Sequence, residues 1–397
     1  MFAGKNILVG VTGGISAYKT CDLVRDLVKA SAQVRVMMTE AATRFVSALT
    51  FETLTGHPVL LDLFPPTGGT AVHIEWARWP QAICLCPASA NTVAKLAAGL
   101  ADNAVLTTLL ATTAPVLFCP AMNKDMYAHP SYQENQQKLL DRGYRVVTPG
   151  QGALACGEVG WGRLADKTDI LDALKMILLA GNALQGRRVL ITAGPTCEPL
   201  DPVRFLSNRS SGKMGYALAE AAALQGAQVT LVSGPTQLRP FPLVNLIPVT
   251  TAQEMADATL PRLEEHDIFI AAAAVSDFRP ERVQEQKIKK TDQALTLSLA
   301  VNPDILAQAA MCKGSRIHVG FSLETQQEIE HSQKKLQAKK LDLVVINNPL
   351  QPGAGFNADT NIVTLLDAQG RVESWPLMSK QQVAAHIIKK IAQLGKP

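Results

Sequence analysis

The chain has 397 residues, 47% of them hydrophobic and 18% charged, with a formal net charge of +4. That length exceeds what a single core serves and suits two domains of about 150 to 200 residues each, while so small and dispersed a charge excludes nucleic-acid binding as the main task and leaves small anionic ligands open. Seven cysteines with no C-x-x-C pair, no apolar leader and no uncharged apolar run of membrane-spanning length lead to the expectation of a soluble, unprocessed, cytoplasmic protein with reduced thiols and no membrane partner.

In chain order, Lys5–Thr12 (KNILVGVT) reads as a buried strand running into Gly13-Gly14-Ile15-Ser16-Ala17. Further strands are expected at 33–38, 81–86, 115–119 and 144–148, with helices at 16–30, 90–99, 103–112 and 168–180. Cys84 and Cys86 stand i,i+2 on one strand and so share a face, where they pack. The glycine-rich stretch 149–165 has no apolar period and reads as a long loop of the kind that serves as a lid. A linker is expected at Gly181–Gly186.

The pattern then starts again: Arg187–Ala193 (RRVLITA) is a second such strand, running into Gly194-Pro195-Thr196. Strands at 228–233, 244–249, 267–273, 315–320 and 341–346 alternate with helices at 212–225, 251–265, 302–312, 325–340 and 379–394. Two irregular segments, 194–211 and 276–290, interrupt this half. The expected fold is α/β, with two tandem doubly wound (Rossmann-like) domains, 1–181 and 187–397. Ligands of such sheets collect at the carboxyl ends of strands.

Gly10-Val-Thr-Gly13-Gly14 does not have the G-x-G-x-x-G spacing of a dinucleotide fingerprint. Gly13, Gly14 and Ser16 after the first strand, Thr39 after the second, and Ser89, Asn91 and Thr92 after the third outline a mononucleotide phosphate cup; the plain alternative is a set of helix caps. His73 near two tryptophans, Asn123 before a helix and Cys156 in the glycine-rich stretch are candidate active-site groups, although a packed histidine, a capping asparagine and an inert thiol are the commoner roles.

The motifs GGISAYK (13–19), SANT (89–92), PAMNKDMY (120–127) and ALACGEVGWGRL (153–164) resemble those of the flavin-dependent cysteine decarboxylases, specifically the phosphopantothenoylcysteine decarboxylases. Tyr127 stands where that motif usually ends in Trp. The resemblance implies a flavodoxin-like flavoprotein fold that holds FMN with the cup residues and Met122. It further implies an oxidative decarboxylation: two electrons pass to FMN, a thioaldehyde loses CO2, and the resulting enethiolate is reduced and protonated. Cys156 would supply that proton, His73 would act near the reacting end of the substrate, and Asn123 would bind its carboxylate.

The second half carries no G-x-x-x-x-G-K-[ST] loop. The SSG turn at 210–212, Lys287-Ile-Lys289-Lys290 and the i,i+4 pair Lys335 and Lys339 are, taken singly, an ordinary cap and solvated surface. Yet DPVRFLSNRSSGKMG (201–215), AAAAVSDFRP (271–280), KIKK (287–290), NPDI (302–305), GF (320–321) and K-x-x-x-K (335–339) stand in the order found in phosphopantothenate–cysteine ligases. Phe205-Leu206 replaces the usual Tyr-Ile. This resemblance implies a ligase fold that activates 4'-phosphopantothenate with CTP as an acyl-cytidylate, which L-cysteine then attacks, with Mg2+ on the triphosphate. Asp277 would read the cytosine; Ala273, Pro303, Asp304, Ile305, Phe321, Lys335 and Lys339 would hold the nucleotide; Lys287 would serve the phosphates and Asn208 the acyl intermediate.

Together the two resemblances cover essentially the whole chain and match the bifunctional bacterial arrangement, whose decarboxylase half consumes phosphopantothenoylcysteine made by the ligase half. They also imply a homo-oligomer, a dodecamer with flavin sites built between subunits of a trimer. Two other readings remain at this stage: a tandem NAD(P) dehydrogenase, opposed by the missing fingerprint, and a flavin-binding scaffold without catalysis, opposed by the joint presence of His73, Asn123 and Cys156.

Overall fold

A computed structural model describes residues 2–64, 72–153, 157–290, 295–323, 328–348, 351–353, 355 and 357–394. Cys156 lies outside the described residues. The chain divides into two compact units, 1–180 and 181–397.

In the first unit five strands, β1 (Asn6–Val11), β2 (Gln33–Met38), β3 (Ala82–Ala88), β4 (Val116–Pro120) and β5 (Arg145–Val146), form a parallel sheet in the order β2-β1-β3-β4-β5. That is the flavodoxin-like doubly wound order. The helices are α1 (Ala17–Lys29), α2 (Glu40–Thr43), α3 (Ala48–Thr55), α4 (Val72–Arg78), α5 (Ala90–Ala98), α6 (Ala104–Ala111), α7 (Lys124–Ala128), α8 (Pro130–Asp141) and α9 (Lys167–Leu178). Because strand side chains alternate, β1 sends Ile7, Val9 and Val11 to one face, against Leu23, Val24 and Leu27 of α1. Leu8 goes to the other face, with Trp76, Phe118 and Leu106. Strands covered on both faces need no polar alternation, which is why NILVGV and AICLCPA read as continuous apolar runs. Cys84, Cys86 and Cys119 are packed in the first of these layers.

The stretch 149–165 is not a structureless loop. It forms an antiparallel hairpin of β6 (Gly150–Ala153) and β7 (Val159–Arg163), in which Gln151 pairs with Trp161 and Ala153 with Val159. Its strands are too rich in glycine to carry an apolar period, and docking rather than side-chain alternation fixes them.

The second unit begins with residues that read as a linker. Gly181 N–H donates to Leu224 O at 2.8 Å, Leu184 N–H to Gln225 O at 2.9 Å, and Leu184 is buried. The segment is therefore fastened to this unit. Next come β8 (Arg188–Ala193), a short ribbon of β9 (Cys197–Pro199) and β10 (Phe205–Ser207), α10 (Lys213–Leu224), β11 (Gln228–Ser233), β12 (Val244–Pro248), α11 (Ala252–Thr259) and β13 (Ile268–Ala271). A second ribbon, β14 (Phe278–Pro280) and β15 (Leu299–Val301), precedes α12 (Ile305–Met311), β16 (Ile317–Leu323), α13 (Glu328–Ala338), β17 (Leu343–Asn347), β18 (Thr360–Asp367), β19 (Val372–Ser379) and α14 (Lys380–Leu394). The main sheet runs β12-β11-β8-β13-β16-β17-β18-β19. Its first six strands are parallel, in the two-halved order of dinucleotide-binding sheets, and β18 and β19 add an antiparallel extension that the sequence reading lacks. The helix expected over 251–265 stops at Thr259, and Pro261 opens a 3-10 turn instead. On α14, Val383, Ile387, Ile388 and Ile391 are fully buried, each worth about 1.5–3 kcal/mol against exposure.

Candidate functional site

The first unit holds a cleft of about 970 Å³ at the carboxyl ends of its strands. Gly13, Gly14, Ser16, Thr39, Ser89, Asn91, Thr92, Met122 and Asn123 all line it, so every cup residue picked from the sequence converges there. The cap reading holds for some of them. Thr39 Oγ1 accepts from Ala42 N–H at 3.3 Å, and Ser89 Oγ accepts from Thr92 N–H at 3.3 Å. Ser16 differs, since it precedes α1 without a capping bond from its side chain. Gly13 is needed for close approach, because a Cβ there would stand 2.6 Å from Ala41 Cβ. A cup floored by glycine and ringed by the starts of α1, α2 and α5 presents small donors to an anion, and the volume suits a mononucleotide with a planar ring. The residues present therefore fit FMN.

The hairpin closes one side of the cleft through Ala153, Gly162 and Arg163. Met122 N–H donates to Gly162 O at 2.9 Å. Gly162 has φ +130°, and a Cβ on it would lie 2.3 Å from Met122 O, so only glycine permits this docking. Asn123 Oδ1 accepts from Asp125 N–H at 2.8 Å and caps α7, which aims its Nδ2 at Glu158 Oε2, 2.9 Å away. Lys124 Nζ lies 3.6 Å from Glu158 Oε1. The Asn123 amide thus presents its donor to a carboxylate. Lys19, Lys95, Asp102 and Arg163 also line the cleft and were missed. Lys19 stands within the first quoted motif, whereas Asp102 lies ten residues beyond Thr92 and is ion-paired with Lys95, whose hydrogen bond holds its carboxyl below the usual range. His73 sits half-buried on α4 and is not among the residues lining this cleft.

In the second unit the sequence-picked residues other than Lys287 fall into one connected group at the carboxyl ends of β8, β13 and β16. Asn208 Nδ2 donates to Ala274 O at 3.0 Å and to Val275 O at 3.2 Å, and Ala273 N–H reaches Thr192 Oγ1 at 3.4 Å. The carbonyl of Asp277, whose side chain is exposed, accepts from Asn302 N–H at 2.8 Å. Buried Asn302 also donates through Nδ2 to Ser276 O at 2.9 Å and, through Pro303, leads into Asp304. Asp304 Oδ1 caps α12, which begins at Ile305, by accepting from Ala307 N–H at 2.8 Å, and its other oxygen pairs with Lys339. Partial burial works to raise this carboxyl, but the Lys339 ammonium and the Ala307 N–H outweigh it and hold it below the usual range. Lys335 Nζ donates to Phe321 O at 2.7 Å. Lys287 stands apart from these contacts, exposed within 281–290. Among the described residues no three His, Cys, Asp or Glu side chains converge to cage a metal.

Fold and cleft together define a flavoprotein unit followed by a second doubly wound unit. Residues 1–179 match the Flavoprotein family, and residues 184–394 match the DNA/pantothenate metabolism flavoprotein C-terminal domain. The chain is 47% identical to the coenzyme A biosynthesis bifunctional protein CoaBC of Bacillus subtilis (strain 168), over 100% of this chain and 98% of that one. It is 43% identical to the protein of the same name from Escherichia coli (strain K12), over 98% and 97% of the two chains. Among solved structures, the C-terminal domain of a CoaBC protein is similar at 41% identity and TM-score 0.47, covering 54% of this chain and 98% of its own. The FMN-dependent cysteine decarboxylase SpaF is similar at 30% identity and TM-score 0.39, covering 44% and 99%. The chain belongs to the family of bifunctional coenzyme A biosynthesis proteins, enzymes that combine a flavoprotein decarboxylase with a ligase.

Proposed function

We propose that the second unit joins 4'-phosphopantothenate to L-cysteine with CTP through an acyl-cytidylate, and that the first unit decarboxylates the product, phosphopantothenoylcysteine, with FMN. The observation that carries the reading is the cleft in which the Gly13–Ser16 turn, the Ser89–Thr92 turn and Asn123 meet under a hairpin docked by Gly162. FMN supplies the two-electron oxidation and the returning reduction. The chain's own residues do the rest. The glycine turn and the helix starts would hold its phosphate, and Met122, which lines the same cleft, would help to hold it. The Asn123 amide, fixed by its own cap, donates to the substrate carboxylate in the way it meets Glu158. Cys156 delivers a proton to the enethiolate. His73 lies off its own chain's cleft, which supports a site shared with a neighbouring subunit in a homo-oligomer.

In the ligase, Asn208 holds the loop bearing Ala274 and Val275 against the acyl intermediate, and Asp277 accepts from the cytosine amino group. Lys335 and Lys339, tied to Phe321 and Asp304, secure the nucleotide, while Lys287 meets the phosphates as charge grows on them. No described helix is long and apolar enough to cross a membrane. The reading places this work in the cytoplasm.

The test is direct. Purified protein should be yellow and release FMN on denaturation, and CTP with phosphopantothenate and cysteine should yield pyrophosphate and, in turn, CO2. UTP should replace CTP poorly, because its carbonyl would face the Asp277 carboxylate with no proton between them. A colourless protein, or equal use of the two nucleotides, would overturn the corresponding half of the assignment.

A further inference from the structure

Lys287 presents a difficulty for the function just proposed, because residues 281–290 carry no regular secondary structure and Lys287 is exposed. A long, flexible ammonium on an unsupported stretch is poorly placed to act on a transferring phosphate, since electrostatic stabilisation depends on donors held in position beforehand. The stretch is held from elsewhere. Asp201, whose side chain is fully buried, accepts from Val203 N–H and Arg204 N–H, each at 2.8 Å, closing a turn on itself. Its Oδ2 also accepts from Arg204 Nε at 3.0 Å and Nη2 at 2.6 Å. The same oxygen accepts from the backbone N–H of Ile288 at 3.1 Å, while Arg204 Nη2 donates to the carbonyl of Ile288 at 2.7 Å.

One ion pair thus takes both backbone groups of the residue lying between Lys287 and Lys289. Gln284 N–H adds a bond to Leu200 O at 3.0 Å, so two adjacent points of the 194–211 segment fasten the lysine stretch. Burial alone would raise the Asp201 carboxyl, but Arg204 and the N–H groups of Val203, Ile288 and Arg204 hold it far below the usual range, so it stays ionised. A carboxylate meant only to close its own turn would be satisfied by Val203 and Arg204. The further bonds reach far along the chain, 87 residues from Asp201, to a single residue flanked by lysines. Because they are made with the backbone of Ile288, they leave the lysine side chains to meet a ligand.

We propose that Asp201 is a positioning residue of the ligase: with Arg204 it grips the backbone of Ile288 and so aims Lys287 at the nucleotide phosphates. The inference rests on the role given to Lys287 above.

The experiment uses the full chain with Asp201→Asn, Asp201→Glu, Lys287→Gln and the Asp201→Asn/Lys287→Gln double variant. Three quantities are measured: pyrophosphate release from CTP and phosphopantothenate without cysteine, tryptic cleavage after Lys287, and hydrogen exchange across the main sheet of the second unit. Asp201→Asn should slow pyrophosphate release by about tenfold or more and hasten tryptic cleavage by a similar factor, with the sheet as protected as in the parent. The double variant should be no slower than Lys287→Gln alone, and Asp201→Glu should recover part of the rate. If Asp201→Asn exposes the sheet, Asp201→Glu carries the same comparison. An Asp201 variant at the parent rate beside an impaired Lys287→Gln overturns the positioning role alone. So do slowed chemistry with unchanged tryptic resistance and a double variant slower by the product of the two single losses. Lys287→Gln at the parent rate overturns the reading of Lys287 itself and the proposal with it.

Discussion

His318 should make the second unit acid-labile. It lies on β16, fully buried, with no hydrogen-bond partner for either ring nitrogen among the described residues, edge-on to Phe269 at 5.6 Å between ring centroids. Burial pushes its imidazole down from 6.5 to about 4; Lys313 and Arg316 push the same way and Asp342 opposes them. In the unfolded chain the ring takes its proton at the ordinary value, so between the two values the unfolded state binds more protons and stability falls as pH falls. The stabilisation is complete above the unfolded pKa and is lost as pH drops through the folded one. At about 1.4 kcal/mol per pH unit the full loss is roughly 3 kcal/mol, of which about 2 kcal/mol falls between pH 7 and pH 5. His318→Leu keeps the volume and removes both the titration and two unsatisfied buried nitrogens, so it should be as stable as the parent or slightly more so at pH 7, and distinctly more stable at pH 5. Urea equilibration of the full chain at the two pH values, followed by a deuterium pulse at a common pH and mass analysis of peptides from β16 and β17, reads the unfolded fraction of this unit. If the Leu variant loses as much stability as the parent between pH 7 and pH 5, the buried imidazole is not the acid-sensitive group.

Two further outcomes are expected. Gly162→Ala sets a methyl group against Met122 O at a φ of +130° and should cost about 1–3 kcal/mol at the hairpin, weakening FMN retention and lowering decarboxylation by about tenfold or more while pyrophosphate release keeps its rate; unaltered decarboxylation would show that hairpin docking is dispensable. Asn208→Asp replaces a donor to Ala274 O and Val275 O by an acceptor, so the loop should be repelled and cysteine incorporation should fall by more than pyrophosphate release, with a trapped acyl-cytidylate seen by mass spectrometry; equal losses in the two half-reactions would separate Asn208 from the acyl intermediate.

The parallel sheets were legible because their central strands are buried on both faces and so appear as apolar runs closed by a turn. NILVGV, QVRVMM and RVLITA give themselves away, as does the restart of the pattern after 186. The extension was not legible on those terms. β18, TNIVTLLD, alternates half-buried with buried residues, and β19 is mostly exposed, so neither offers a continuous run. The hairpin hid for a different reason: Gly160 and Gly162 are selected by what approaches them, Lys124 and Met122 O, and such a constraint leaves no period along the chain.

For the sites the same distinction decides what could be seen. Gly13, Ser16, Ser89 and Thr92 stand immediately after strands, where the doubly wound topology forces chain ends together, so adjacency in sequence already implied adjacency in space. Lys335 and Lys339 were legible as a helical i,i+4 pair, but not as partners of Phe321 O and Asp304, which reach them from β16 and the cap of α12. Asp201 was least legible of all. It stands at the head of a quoted motif, yet a lysine run usually means a solvated face, and only a buried carboxylate bonded to Ile288 from 87 residues away shows that this run is held in place. A charged residue with no room for water must spend its bonding capacity on specific partners, so the buried acid marks which exposed stretch of lysines the fold keeps in register.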